Sequence, residues 1–185
     1  MNFVKHLNVE GLHAPFAPSQ PAWLRYDDQK IIDSLRTKEA AALGTRLHEW
    51  ARETIELGIK QPKSKKTLCA YVNDAIGFKM TPEVVLYYSD NFFGTADTIS
   101  FRDDVLRIHD LKTGVSNVHM EQLKVYAALF CLEYKIKPSS ITTELRIYQN
   151  DEVLCYEPPQ EELVYIMDTI IHLNKVIEQN NLLGG

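Results

Sequence analysis

Residues 94–114, GTADTISFRDDVLRIHDLKTG, constrain this chain more than any other stretch, because they fit two alternating strands joined by a tight turn. With Asp103 and Asp104 as the central turn residues, antiparallel register pairs Phe101 with Leu106, Ile99 with Ile108 and Asp97 with Asp110. Asp-Asp lacks the glycine that favours a two-residue hairpin, so this register depends on how tight the turn is. Period-two alternation puts Asp97, Ile99, Phe101, Leu106, Ile108, Asp110 and Lys112 on one face, leaving Thr98, Ser100, Arg102, Arg107 and His109 on the other. The acids therefore fall on the apolar face. Like charges directly opposite cost a few tenths to about 1 kcal/mol, and partial burial adds to that. A cation between the carboxylates removes the conflict, and hard oxygen ligands suit Mg²⁺ or Mn²⁺. Lys112 projects to the same face one step further on, where an ammonium can orient a water or neutralise charge on a phosphoryl group. The plainer alternative is an ion pair of Lys112 with one aspartate, but a surface pair is worth about 0 to 1 kcal/mol and leaves the apolar setting unexplained.

The flanking sequence predicts an α/β domain on a mixed sheet. A helix is expected from Asp33 to about Gly58, with Leu43, Leu47, Trp50, Ala51 and Ile55 on one arc and His48 at its edge. A short helix follows around Leu68 to Ile76, then a strand at 83–90 that begins with Glu83. After the hairpin, EQLKVYAALFCLEYK is apolar nearly all round and reads as a buried helix. Gln122 and Tyr126 share one of its faces, and a buried glutamine there needs a hydrogen-bond partner. ITTELRIYQ and VLCYE read as strands turning near Asn150 and Asp151, and a closing helix puts Leu163, Met167, Ile170 and Val176 or Ile177 inward. Lys60, Lys63, Lys65 and Lys66 crowd an expected exposed loop, where they could contact phosphates or simply be solvated.

A length of 185 residues, 45% hydrophobic and 24% charged, suits a single domain spanning 1–185, with an arm at about 1–25. No apolar run is long enough for a membrane span and no export signal is read, so a cytoplasmic protein is expected. Cys69, Cys131 and Cys155 are scattered and form neither a disulfide framework nor a zinc ribbon. The net charge of −5 confines any nucleic-acid contact to a local basic patch.

Together, GTRLH (44–48), GTAD (94–97), DLK (110–112) and QLKVY (122–126) resemble the PD-(D/E)xK nuclease superfamily, in the branch of RecB nuclease domains and phage recombination exonucleases. Each motif alone carries little information; four in order, each on its expected element, are specific. The resemblance implies a restriction-endonuclease-like core, with a central mixed β-sheet flanked by helices. It implies that Asp97, Asp110, His48 and the Leu111 carbonyl hold Mg²⁺ or Mn²⁺, that Lys112 is the catalytic lysine, and that Gln122 and Tyr126 lie beside it. Glu83 would help to hold water or a second metal, or else be a plain surface acid. Three unclustered cysteines cannot supply the four-cysteine iron–sulfur cluster of some relatives.

The expected function is Mg²⁺- or Mn²⁺-dependent hydrolysis of DNA phosphodiesters, as an exonuclease in phage or bacterial recombination or repair. The chain has no GxxxxGK[ST] motif, so a recombination or helicase partner protein would supply any unwinding. Two alternatives are a catalytically silent nuclease-fold module that binds nucleic acid or recruits a partner, and a metal-dependent enzyme for another phosphate ester.

Overall fold

The structure is a computed structural model that describes residues 14–114 and 119–181; the first thirteen positions of the expected arm lie outside it. The chain divides into two compact units, Met1–Thr45 and Arg46–Gly185. In the first unit, a 3₁₀ turn at Pro21–Arg25 is held by the Trp23 indole N–H, which donates to the Ala17 carbonyl at 3.1 Å. The helix α1, Asp28–Glu56, begins earlier than expected because Asp27 caps it, accepting the Lys30 amide at 2.7 Å. The division between the units falls within α1.

The second unit contains α2 (Thr67–Gly77), β1 (Thr81–Ser89), β2 (Phe92–Arg102), β3 (Val105–Leu111), α3 (Glu121–Glu133), β4 (Thr142–Gln149), β5 (Glu152–Tyr156) and α4 (Gln160–Asn181). The strands form one sheet in the order β1-β2-β3-β4-β5. Among the described residues its one parallel pair is β3 with β4, joined through α3, so the sheet is mixed and flanked by helices. This is α/β architecture consistent with a restriction-endonuclease-like core.

The β2–β3 register is the expected one: Phe101 pairs with Leu106 and Ile99 with Ile108. Asp103 and Asp104 supply the turn without glycine, at φ of 50° and 58°. Both central residues are left-handed, as a type I′ turn requires, and aspartate is among the few L-residues that tolerate this. Asn150 and Asp151 repeat the device between β4 and β5, at 51° and 62°.

Among the described residues, two apolar clusters lie in the second unit. Ile99, Leu106 and Ile108 pack with Leu123, Leu129 and Phe130 of α3 and with Leu163 and Ile170 of α4. Each such buried side chain contributes about 1.5 to 3 kcal/mol. Ala51 and Ile55 of α1 pack with Tyr71, Val72 and Ala75 of α2 and with Leu111 and Tyr148. Trp50, expected on the same inward arc of α1, stays 38% exposed. The hairpin face that carries Thr98, Ser100 and His109 is itself buried, so both faces are covered and alternation distinguished apolar from polar rather than core from solvent.

Candidate active site

The β2–β3 ladder stops at Thr98 and His109, one rung short of Asp97 and Asp110. The reason is chemical. A continued ladder would use the Leu111 N–H, but the Asp97 carboxylate takes it, with Oδ2 accepting at 2.9 Å. On the other side of Asp97, the flanking pairs Pro82–Thr98 and Val84–Ala96 place Glu83 opposite it. Three acids thus occupy neighbouring positions across β1, β2 and β3. Glu83 sits at φ 52°, left-handed for a non-glycine residue inside a strand, which marks a backbone held against its preference.

From α1, His48 Nδ1 lies 3.6 Å from Asp97 Oδ2. Ligand atoms of His48, Glu83 and Asp97 all fall within 4.8 Å of one another, a nitrogen and two carboxylate oxygens that could hold a divalent ion. The grouping differs from the expected one in a specific way. Glu83, the optional member, is inside it, whereas Asp110 is not part of that trio and is engaged by Lys112. The ammonium donates to Asp110 Oδ1 at 3.1 Å and lies 3.0 Å from Oδ2 as an ion pair without hydrogen-bond geometry. Asp110 is 2% exposed, so an unpaired charge there would be costly and the adjacent ammonium compensates it. Leu111 joins the site through its amide.

Lys112 also donates to Gln122 Oε1 at 3.1 Å, and Gln122 Nε2 donates to the Tyr126 hydroxyl at 3.3 Å. Gln122 is exposed. Its hydrogen bonds therefore serve the site, and the burial argument for it does not hold. The Tyr126 ring lies against Gly94, where a β-carbon would come within 2.9 Å of Cε1. Lys60, Lys63, Lys65 and Lys66 stand outside this arrangement, exposed in the loop between α1 and α2.

Crowding of acids sets the electrostatics. The Asp97 carboxyl is pushed up to about 6 by burial and by the Asp110 charge, against the Leu111 amide, His48 and Lys112. Tyr71, 3% exposed on α2, has its phenol held well above the ordinary range by burial and then by the negative field of Asp97, with Asp110 and Glu83 adding to it and Thr98 opposing through a hydrogen bond. No periodicity in the sequence points to Tyr71 as a neighbour of the acids. Also unforeseen is the network behind Asp110. The Tyr148 hydroxyl donates to Asp74 Oδ2 at 2.7 Å and lies 3.3 Å from His109 Nδ1. Arg146 reaches the same Asp74 oxygen at 3.0 Å. Arg107 and Arg146 lie over Phe78, at 4.5 and 5.0 Å from its ring centroid. Burial, then Arg146 and Arg107, lower His109 to about 3, so its imidazole is neutral.

The fold and the site together define an α/β protein with a carboxylate–histidine cradle beside a lysine. A model of a family described as "Protein of unknown function (DUF2800)" matches residues 83–174. That span takes in Glu83, Asp97, Asp110, Lys112, Gln122 and Tyr126 and stops short of His48. No curated protein and no solved structure matches the chain. Among the described residues, no helix is long and apolar enough to cross a membrane.

Proposed function

We propose that this chain is a divalent-metal-dependent nuclease that hydrolyses DNA phosphodiester bonds. The observation that carries the reading is the meeting of Lys112 with Asp110 and Gln122, at 3.0 to 3.1 Å, beside the cradle of His48, Glu83 and Asp97. Carboxylate oxygens with one imidazole suit Mn²⁺ or Mg²⁺, the histidine favouring Mn²⁺. Such an ion, when bound, would polarise the phosphate and supply hydroxide near neutral pH. His48, Glu83 and Asp97 would hold it, and Asp110, opposite Asp97 just past the last β2–β3 pair, would complete the shell.

Lys112 does the second part of the work. Its ammonium is fixed between Asp110 and Gln122, where it can orient the attacking water or neutralise charge developing on the phosphate oxygens. Gln122, tied to Tyr126, sets the direction of that ammonium. The exposed Lys60, Lys63, Lys65 and Lys66 lie within seven residues of sequence and would contact the phosphate backbone, since an overall charge of −5 confines such contact to a local basic segment. A role as an exonuclease in phage or bacterial recombination or repair, acting with a helicase or recombination partner, rests on the resemblance of the motifs.

The test is to incubate the protein with end-labelled linear DNA and with circular DNA, in Mn²⁺ or in EDTA. Cleavage of linear DNA in Mn²⁺ alone is expected. If neither DNA is cut, the nuclease reading is wrong; equal cutting of circles removes the exonuclease part.

A further inference from the structure

Lys112 lies just beyond the end of β3, so its position depends on what holds the strand's last peptides. Two consecutive amides are held from opposite sides. Leu111 N–H goes to the Asp97 carboxylate toward β2, and Lys112 N–H goes to the Tyr148 carbonyl toward β4, at 2.9 Å each. Just beyond, Gln149 Nε2 donates to the Gly114 carbonyl at 2.5 Å. The lysine is therefore positioned by β4 as much as by β3.

The Tyr148 side chain is anchored as well as its backbone. It is the largest fully buried side chain among the described residues, packed edge-on against Tyr71 at 5.4 Å. Its hydroxyl donates to Asp74 Oδ2 on α2. With that proton committed, the phenol oxygen can accept from His109 Nδ1–H, on the residue before Asp110. One residue thus joins α2, the back of β3 and the Lys112 peptide. A phenylalanine would fill the same volume, so packing does not require the hydroxyl.

We propose that Tyr148 is a positioning residue: its hydroxyl, tied to Asp74 and His109, fixes the β4 carbonyl that holds the Lys112 peptide, and thereby the ammonium at the candidate site. The catalytic consequence rests on the nuclease reading; the mechanical one does not.

Both are tested with Tyr148→Phe, and with Asp74→Ala as a second variant that removes the acceptor and keeps Tyr148 whole. Amide hydrogen exchange by NMR reads the peptide directly. Exchange at Lys112 should rise roughly tenfold in either variant while Ile108, in the same strand, stays protected. In the DNA assay, kcat should fall roughly tenfold with KM unchanged. Unchanged exchange at Lys112, or loss of protection throughout β3, overturns the brace. Faster exchange at Lys112 with full kcat overturns its link to catalysis. Wild-type protein that cuts no DNA defeats the nuclease reading instead, and the exchange comparison then still decides the brace.

Discussion

Gly94 and Tyr126 are in contact across β2 and α3: a β-carbon at position 94 would lie 2.9 Å from the ring atom Cε1. Real β-carbons essentially never come so close, so Gly94→Ala must displace the ring. The hydroxyl that meets Gln122 moves with it, and Gln122 in turn orients Lys112. Gly94→Ala should lower DNA cleavage roughly 10- to 100-fold with little change in Mn²⁺ affinity by calorimetry. Full activity would show that the Tyr126 ring does not orient the site.

Removing the lysine separates its role from those of the acids. Lys112→Ala should reduce cleavage about 10² to 10⁴-fold yet leave Mn²⁺ binding measurable, whereas Asp110→Ala should lose both. Lys112→Ala also leaves the Asp110 carboxylate without its ammonium, and should destabilise the protein by about 1 to 3 kcal/mol in urea melts. Retained cleavage would contradict the assignment.

Asp97 gives a pH signature. Its folded-state carboxyl titrates near 6, above the ordinary carboxylate value near 3.8. The folded protein therefore holds this proton more tightly than the unfolded chain, and the stability it contributes is full below about pH 4 and lost as pH rises through about 6. Metal-free wild type compared with Asp97→Asn should show that falling component between these values, and the variant should lack it. Cation binding runs the other way, because the ligand must be ionised, so Mn²⁺ affinity should weaken as pH falls below about 6. Parallel stability curves for the two proteins would remove the signature.

Glu83 trades stability against the cradle. Its left-handed backbone costs an L-residue about 1 to 2 kcal/mol, which glycine avoids at some cost in chain entropy. Glu83→Gly should raise the metal-free melting temperature or leave it unchanged, while Mn²⁺ affinity by calorimetry falls. Unaltered affinity would place Glu83 outside the metal shell.

Legibility from sequence followed the range of the interaction. The hairpin register was readable because Asp103 and Asp104 set it locally, through a turn two residues long. Asp97, Asp110 and Lys112 stood out in the sequence because charged groups on an apolar strand face need an explanation. Glu83 was only half visible, since its role depends on a backbone angle that composition does not encode. Tyr71, Asp74 and Tyr148 were invisible as site neighbours, because α2 and β4 meet behind β3 only in the folded sheet. Gln122 does lie beside Lys112, but not for the reason of burial: the helix is buried along one side, and Gln122 in its first turn is exposed.

The parallel pairing of β3 with β4 has a consequence for when the site comes into being. A hairpin can close by itself, but a parallel neighbour needs the crossover, and here the crossover is α3, which delivers Gln122 and Tyr126. His48, Glu83, Asp97 and Gln122 arrive on four separate elements and Lys112 just beyond the end of a fifth, so the site closes through contacts between residues far apart in sequence, the kind that form late. A nascent chain that has made only its first hairpins carries Glu83, Asp97, Asp110 and Lys112 without Gln122 and Tyr126 beside them, so the candidate site is complete only once α3 has carried the chain across to β4.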